Sequence, residues 1–157
     1  MREGVAGGAS VYELHAASTD DLAAVRQLLE SAGLPTSDLA TAGPQFAVIR
    51  DGQQIIATGA LQCFGSVALL RSVAVDPDRR GAALGRRIVQ ELERVARAAQ
   101  IGRLVLLTQT ARQFFAHLGY RVIERADAPQ EVQGSEEFRS LCPSSATCMI
   151  KDITESD

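Results

Sequence analysis

The chain has 157 residues, 46% hydrophobic and 22% charged, with a formal net charge of -3. That length fits one domain with a real core, and the composition is neither that of a disordered chain nor that of a membrane protein. No apolar run approaches the roughly 18 residues of a membrane span, and an isoelectric point near 5.4 argues against broad nucleic-acid binding, which draws on a wide basic surface.

Residues 1–9 read as a loose tail without the apolar stretch of a signal peptide, 10–153 as one domain, and 154–157 as a second tail. VYELHAA, Val11 to Ala17, is a short strand. Ser18 with Asp21 then resembles a capping box, Leu22, Val25, Leu28, Leu29 and Ala32 keep helical spacing, and Gly33 stops that helix. LPTSDLATAG is a loop or a short second helix. FAVIRDGQQIIATGALQ is a hairpin, with Asp51-Gly52 favouring a type I′ turn between two β-rich runs. A turn at Phe64-Gly65-Ser66 leads into VALLRSVAV, Val67 to Val75, apolar enough for the middle of a sheet.

A helix is predicted from Gly85 to Gln100, with Ile88, Leu92, Val95 and Ala99 on its inner stripe. RLVLLT, Arg103 to Thr108, is a buried strand, and TARQFFAHLGY is a short helix ending at Gly119. YRVIE is a further strand, SEEFRSL a helical turn and SATCMIKDI a closing strand. The alternation of strands and helices makes the fold class mixed α/β. ADAPQEVQGSEEFRSLCPSS has the character of a lid or pocket wall.

The stretch VAVDPDRRGAALGRRIV concentrates arginine in a chain of net negative charge, with no acidic residue from Arg79 to Gln90. A buried strand, a short Gly-containing loop and a helix make an anion site for a physical reason. The first amides of the helix lack internal acceptors and sit at the positive end of its dipole. Gly81 and Gly85 let backbone approach an anion closely, and Arg79, Arg80, Arg86 and Arg87 add charge-assisted contacts to phosphate oxygens. Gly85 is followed by Arg86-Arg87, which does not fit a P-loop, and G-A-A-L-G does not fit a dinucleotide fingerprint.

VAVDPDRRGAALGRRIVQELERVA resembles the coenzyme-A loop of the GCN5-related N-acetyltransferases (GNAT), R/Q-x-x-G-x-G/A, with Arg80, Ala83 and Gly85 on the three defined positions. HLGY after LLT is similar to the closing L-G-F of that family. ALLRSVAVDP, VLLTQTARQFFAHLGY, ADAPQEV and SEEFRSLCPSSATCM resemble the branch found in arsenic-resistance operons, itself close to N-acetylglutamate synthase domains. The resemblance implies a GNAT fold, with helices on both faces of a mixed sheet and a splayed strand pair holding the cofactor. It implies acetyl-CoA as cosubstrate, no metal, and a small, amino-acid-like amine as acceptor, in detoxification. It implies a homodimer by analogy, with no nucleic-acid or membrane partner. One departure is Ala83 where the family has its first motif glycine: the methyl group crowds the phosphate and weakens binding.

Cofactor contacts implied by the resemblance run through Val73, Ala74, Val75, Arg80, Gly81, Ala82, Ala83, Leu84, Gly85 and Arg86, with Thr108 and Phe115 on the other side. Backbone near Val73 and Val75 would bond the pantetheine, and an amide there would meet the thioester oxygen. Many relatives donate the leaving-group proton from a tyrosine at the position of Phe115, and several place a glutamate base at the position of Leu69. Neither residue here does that work, so no side chain is assigned as catalytic, and the expectation is a proximity enzyme with water carrying protons. The alternative from another class is a catalytically weak, coenzyme-A-binding regulator or sensor.

By strand alternation Arg71 shares a face with Leu69, Val73 and Val75, so a charge sits on an apolar stripe and needs a partner. That partner is either an internal carboxylate such as Glu13 or Glu124, or the carboxylate of an amino-acid-like substrate. A bulge would flip the parity. Cys63, Cys142 and Cys148 are an odd set without a secretion signal and fit reduced thiols in a cytoplasm. Soft thiolates also suit trivalent arsenic, although nothing in the spacing fixes these cysteines on one face. His15 and His117 read as surface histidines.

Overall fold

The computed structural model describes residues 12–34, 36, 45–79, 83–135, 138 and 146–154. Both predicted tails (residue 154 apart), the LPTSDLATAG segment beyond Leu34 and Thr36, most of SEEFRSLCPSS and the Arg80-Gly81-Ala82 triplet lie outside them. The strands are β1 (Glu13–Ala16), β2 (Gln45–Asp51), β3 (Gln54–Phe64), β4 (Val67–Val75), β5 (Arg103–Thr108), β6 (Arg121–Ile123) and β7 (Thr147–Asp152). The helices are α1 (Leu22–Ser31), α2 (Leu84–Ala98), α3 (Arg112–His117) and α4 (Gln130–Gln133). Among the described residues no helix is long and apolar enough to cross a membrane.

The seven strands form one sheet in the order β1-β2-β3-β4-β5-β7-β6. Only β4 and β5 pair in parallel, because α2 carries the chain across one face between them, while hairpins and the returning β7 make the rest antiparallel. α2 covers that face, burying Leu84, Ile88, Val89, Leu92 and Ala96 against Ile49, Ala57, Leu70 and Leu106. α1 covers part of the other face with Val25 and Leu29 against Val48, Ala60 and Ala74, and α4 adds Val132 over Val67, Leu69 and Val105.

The details correct three sequence expectations. The β2–β3 turn lies one residue later, with Asp51 opposite Gln54 and Gly52-Gln53 as the loop. Only Gly52 has a positive φ there, at 63°, whereas a type I′ turn needs it at both central residues. The inner stripe of α2 is Ile88, Val89, Leu92 and Ala96 rather than one through Ala99, which is exposed beyond the helix end. Gln100, left-handed at φ 67°, ends that helix, and the Ile101 N–H closes back on the Ala96 carbonyl at 2.9 Å. The third correction concerns β4 and positions the site.

β4 is bulged. Thr58 lies opposite Ala74 and Ala60 opposite Arg71, so Ser72 and Val73 together face the single residue Gly59. Ser72 takes up the extra length with φ 61°. Gly59 permits it: a Cβ there would sit 2.4 Å from Cγ2 of Ile88, so α2 packs onto the bare backbone beside the bulge. The bulge reverses the alternation. Ala68 and Leu70 face α2 before it and Val73 and Val75 pack on the same cluster after it, while Arg71 and Leu69 point to the opposite face. Arg71 therefore does not share a face with Val73 and Val75.

Candidate active site

β4 and β5 pair only from Val67–Leu69 to Arg103–Val105. β4 continues to Val75 and β5 to Thr108, so the two strands part at the level of Leu70. A cleft of about 1310 Å³ opens between them, floored by the bulge and closed by α3 on one side and the start of α2 on the other. Backbone groups of Arg71 to Val75 line it without a β5 ladder partner, which is the edge an extended, amide-bearing molecule can add to.

Ala83, Leu84, Gly85 and Arg86 line the end of the cleft at the N-terminus of α2. Ala83 caps the helix in the left-handed region, φ 60° and ψ 22°, and its carbonyl takes the first helical bond from Arg87 N–H at 3.1 Å. A residue with a Cβ pays about 1 kcal/mol or more for that conformation, which is the physical reason a glycine suits the position. The amides ahead of Arg87 have no helical acceptor and can receive an anion. Gly85 faces Phe114, where an added Cβ would lie 3.1 Å from the ring. Arg86 is exposed on the cleft wall. Arg79, expected to serve an anion, is committed elsewhere: its guanidinium bonds Asp51 at 2.6 Å and Tyr12 Oη at 3.3 Å.

On the other wall Thr108 ends β5, and its hydroxyl oxygen accepts the Ala111 N–H at 3.0 Å, fixing the entry to α3. Phe115 is buried and packs edge-on against Phe114 and Tyr120, with ring centroids 4.9 and 5.6 Å away. Val73, Ala74, Val75, Thr108, Phe115 and Arg71 thus all line one cleft together with the described part of the loop. Arg71 is 3% exposed, and its Nη1 donates to Gln62 Oε1 at 3.1 Å. The sequence did not point to Ser72, Arg112 or Phe114, which also line the cleft. Gly59 inside an apolar strand was the available signal for the bulge that brings Ser72 there.

Residues 42–122 match the family pattern described as the acetyltransferase (GNAT) domain. An amino-acid acetyltransferase of Mycobacterium tuberculosis is 34% identical over 138 residues, 82% of this chain and 76% of the relative. The chain belongs to the GNAT acetyltransferase family. Membership makes it an acetyl-CoA-dependent N-acetyltransferase. A M. tuberculosis protein solved in complex with CoA superposes with a TM-score of 0.75 at 29% identity, covering 89% of this chain and 98% of that one. The N-acetylglutamate synthase of Neisseria gonorrhoeae, solved with coenzyme A and N-acetyl-glutamate, shares the fold at a TM-score of 0.79 and 16% identity. This chain covers only 36% of that synthase, and 94% of its own length is matched.

Leu69 and Phe115, the positions at which the resemblance led one to expect proton-handling side chains, carry only hydrocarbon. Leu69 is fully buried against Val67, Val105 and Val132, on the last rung before the strands part. Phe115 is buried and has no hydroxyl to offer. Tyr120 does not substitute for it: its hydroxyl donates to Glu93 at 2.8 Å, and burial, then the Glu93 charge, holds its pKa far above the phenol range. Among the described residues lining the cleft, the only charged side chains are Arg71, Arg79, Arg86 and Arg112.

The remaining candidates fall away from the cleft. Cys63 sits on β3 and Cys148 on β7, three strand steps apart in the sheet, or roughly 14 Å. One ion cannot bridge them. Burial raises the Cys148 thiol to about 11, and Cys142 lies outside the described residues. His15 is half-buried and accepts a bond from Arg50 Nε at 3.0 Å, while His117 is exposed.

Proposed function

We propose that the chain moves the acetyl group of acetyl-CoA to the amino group of a small amino-acid-like molecule, with detoxification of amino-acid-like arsenicals or phosphinic analogues as its setting. The observation that carries this reading is the buried Arg71, on the wall of the cleft where β4 leaves β5. A carboxylate beside the reacting amine is the group a guanidinium fork orients best. The names of the amino-acid acetyltransferase and the N-acetylglutamate synthase support the same acceptor class.

The site fits acetyl-CoA in charge and shape. The open edge of Val73, Ala74 and Val75 would bond the amides of the pantetheine arm. The amides of Leu84, Gly85 and Arg86, with the Arg86 side chain and the loop residues Arg80, Gly81, Ala82 and Ala83, would hold the pyrophosphate. Thr108 and Phe115 would close the far wall. When bound, acetyl-CoA supplies an activated acyl carbon and a sulfur that departs as the free thiol.

The chain's part in the chemistry is alignment. Arg71 fixes the acceptor's carboxylate and so the direction from which its amine approaches. A bulge amide polarises the acyl oxygen. With only arginines among the described charged residues of the cleft, the amine gives up its proton to water rather than to a carboxylate. This basic lining also lowers the pKa of a nearby ammonium group, which favours the neutral, attacking form.

Free thiol released over time with a panel of amino acids, arsenicals and phosphinic analogues tests the reading. At least one carboxylated amine should turn over, and Arg71→Ala should raise its KM about tenfold or more while leaving that of acetyl-CoA nearly unchanged. Equal effects on both substrates would make Arg71 structural, and thiol release with no acceptor on the panel would favour the coenzyme-A-binding regulator. The pH profile of kcat/KM should follow the amine alone; a limb abolished by mutating one carboxylate would reveal a protein base.

A further inference from the structure

Beside the cleft lies a recess of about 230 Å³, walled by β6 and the residues after it, by the start of β7 and by the first residue of α3. It shares Arg112, Ala146 and Thr147 with the cleft, so the two are continuous. Arg125 lines it, in the 3-10 turn Arg125–Asp127. Its guanidinium is laid over the Phe138 ring, 5.7 Å from the centroid, which holds the plane in place. Nε and Nη2 are both buried, and among the described residues neither has a hydrogen-bond partner. That pair of nitrogens forms the edge of a guanidinium that meets a carboxylate with two parallel bonds.

A buried charged donor without an acceptor is costly, and a chain that keeps one is keeping it for something. The charge around the recess favours an anion. Among the described residues that line it, Arg125 and Arg112 face one carboxylate, Glu124, which is exposed. Cys148, also in the wall, stays a neutral thiol because burial raises its pKa to about 11, so it adds no negative charge. The volume admits a carboxyl group and a short carbon stem, and excludes a nucleotide.

We infer that this recess is a carboxylate-binding subsite in which the Nε–Nη2 edge of Arg125 receives an acid group. The inference deepens the proposed function: Arg71 would take the carboxylate beside the reacting amine, and Arg125 a second acid group on the same acceptor. The same chemistry would also hold a free carboxylate acting as an effector. Arg125 is then a specificity residue and touches no reacting atom. Its loss should discriminate between acceptors rather than slow all of them.

Calorimetric titration of the full chain, with coenzyme A present, measures this without turnover. Succinate should bind and succinamide should not, and Arg125→Gln should weaken succinate at least tenfold. Arg125→Lys keeps the charge over Phe138 but loses the paired donors, and should fall between the two; it also serves if the Gln variant melts early. Competition between succinate and an amino-acid acceptor assigns the recess to the acceptor's own acid group, whereas simultaneous binding assigns it to an effector. In the transferase assay, Arg125→Gln should raise the KM of aspartate or glutamate about tenfold more than that of asparagine or glutamine. Succinate that fails to bind the unaltered chain, or binds the Gln variant equally well, overturns the inference. Succinate binding without thiol release on any acceptor would leave the subsite standing and remove the transferase reading instead.

Discussion

The cleft and the back of α2 treat buried charge in opposite ways. Behind α2, Glu93 is buried yet closed on all sides: it accepts from Tyr120 Oη at 2.8 Å and from Lys151 Nζ at 3.0 and 3.2 Å. Lys151 also donates to the Leu118 carbonyl at 2.8 Å, so α2, the turn after α3 and β7 are tied at one point. In the cleft the described charges have one sign, and the backbone edge of β4 lacks its ladder. A cluster that balances its own charges serves the fold; a surface of one sign beside an open strand edge suits something that arrives from outside.

The largest effect expected from this contrast is on stability. Glu93→Ala strands the Tyr120 hydroxyl and part of the Lys151 charge, at a cost of about 3 kcal/mol, the low end for a broken buried pair because Lys151 keeps Leu118 and some solvent. Tyr120→Phe should cost about 1.5–3 kcal/mol. The raised Tyr120 pKa adds a pH signature. The unfolded chain loses the phenol proton first, near pH 10, so the contribution of Tyr120 is intact below that value and declines as pH rises through it. Thermal melts across pH 8–11 should show this alkaline decline in the unaltered chain and less of it in Tyr120→Phe, with the KM of acetyl-CoA unmoved in both variants. A large change in that KM would mean the two regions are coupled.

Some of this contrast was legible in the sequence. Val67 to Val75 and Arg103 to Thr108 are read off their apolar runs with the bounds they have in the structure, because buried strands leave continuous apolar stretches. The loop and helix that follow β4 stand out through their arginines. The parity of Arg71 was misread because a bulge is a backbone event, one left-handed residue at Ser72 opposite Gly59, and alternation assumes there is none. Nothing in the spacing singles out Glu93, since its partners come from 27 and 58 positions away in sequence. Arg125 could not be singled out by spacing, as what marks it is two buried nitrogens without a partner among the described residues.

The next effect belongs to the cleft. Arg86→Ala should raise the KM of acetyl-CoA three- to tenfold, about what one charge-assisted phosphate contact at an exposed position is worth. The melting temperature should hardly move, the reverse of Glu93→Ala. Because the contact is solvent-exposed, raising salt toward 1 M should erase most of the difference between variant and parent. A fall in stability without a change in KM would place Arg86 with the self-satisfied charges.

The smallest effect is the most specific. Ala83 adopts φ 60° and ψ 22° at the mouth of α2, a conformation that costs an L-residue about 1 kcal/mol, and its methyl group sits on the cleft wall. Ala83→Gly removes that strain but gives the unfolded chain more freedom, worth about 0.4–1 kcal/mol in the other direction, so the two nearly cancel and stability should stay within about 0.5 kcal/mol. Affinity has no such offset. With the methyl gone the backbone can close on the diphosphate, and calorimetry should find acetyl-CoA bound about threefold more tightly. An unchanged affinity would show that the diphosphate does not rest against this turn, and the anion site would then have to lie further along the loop.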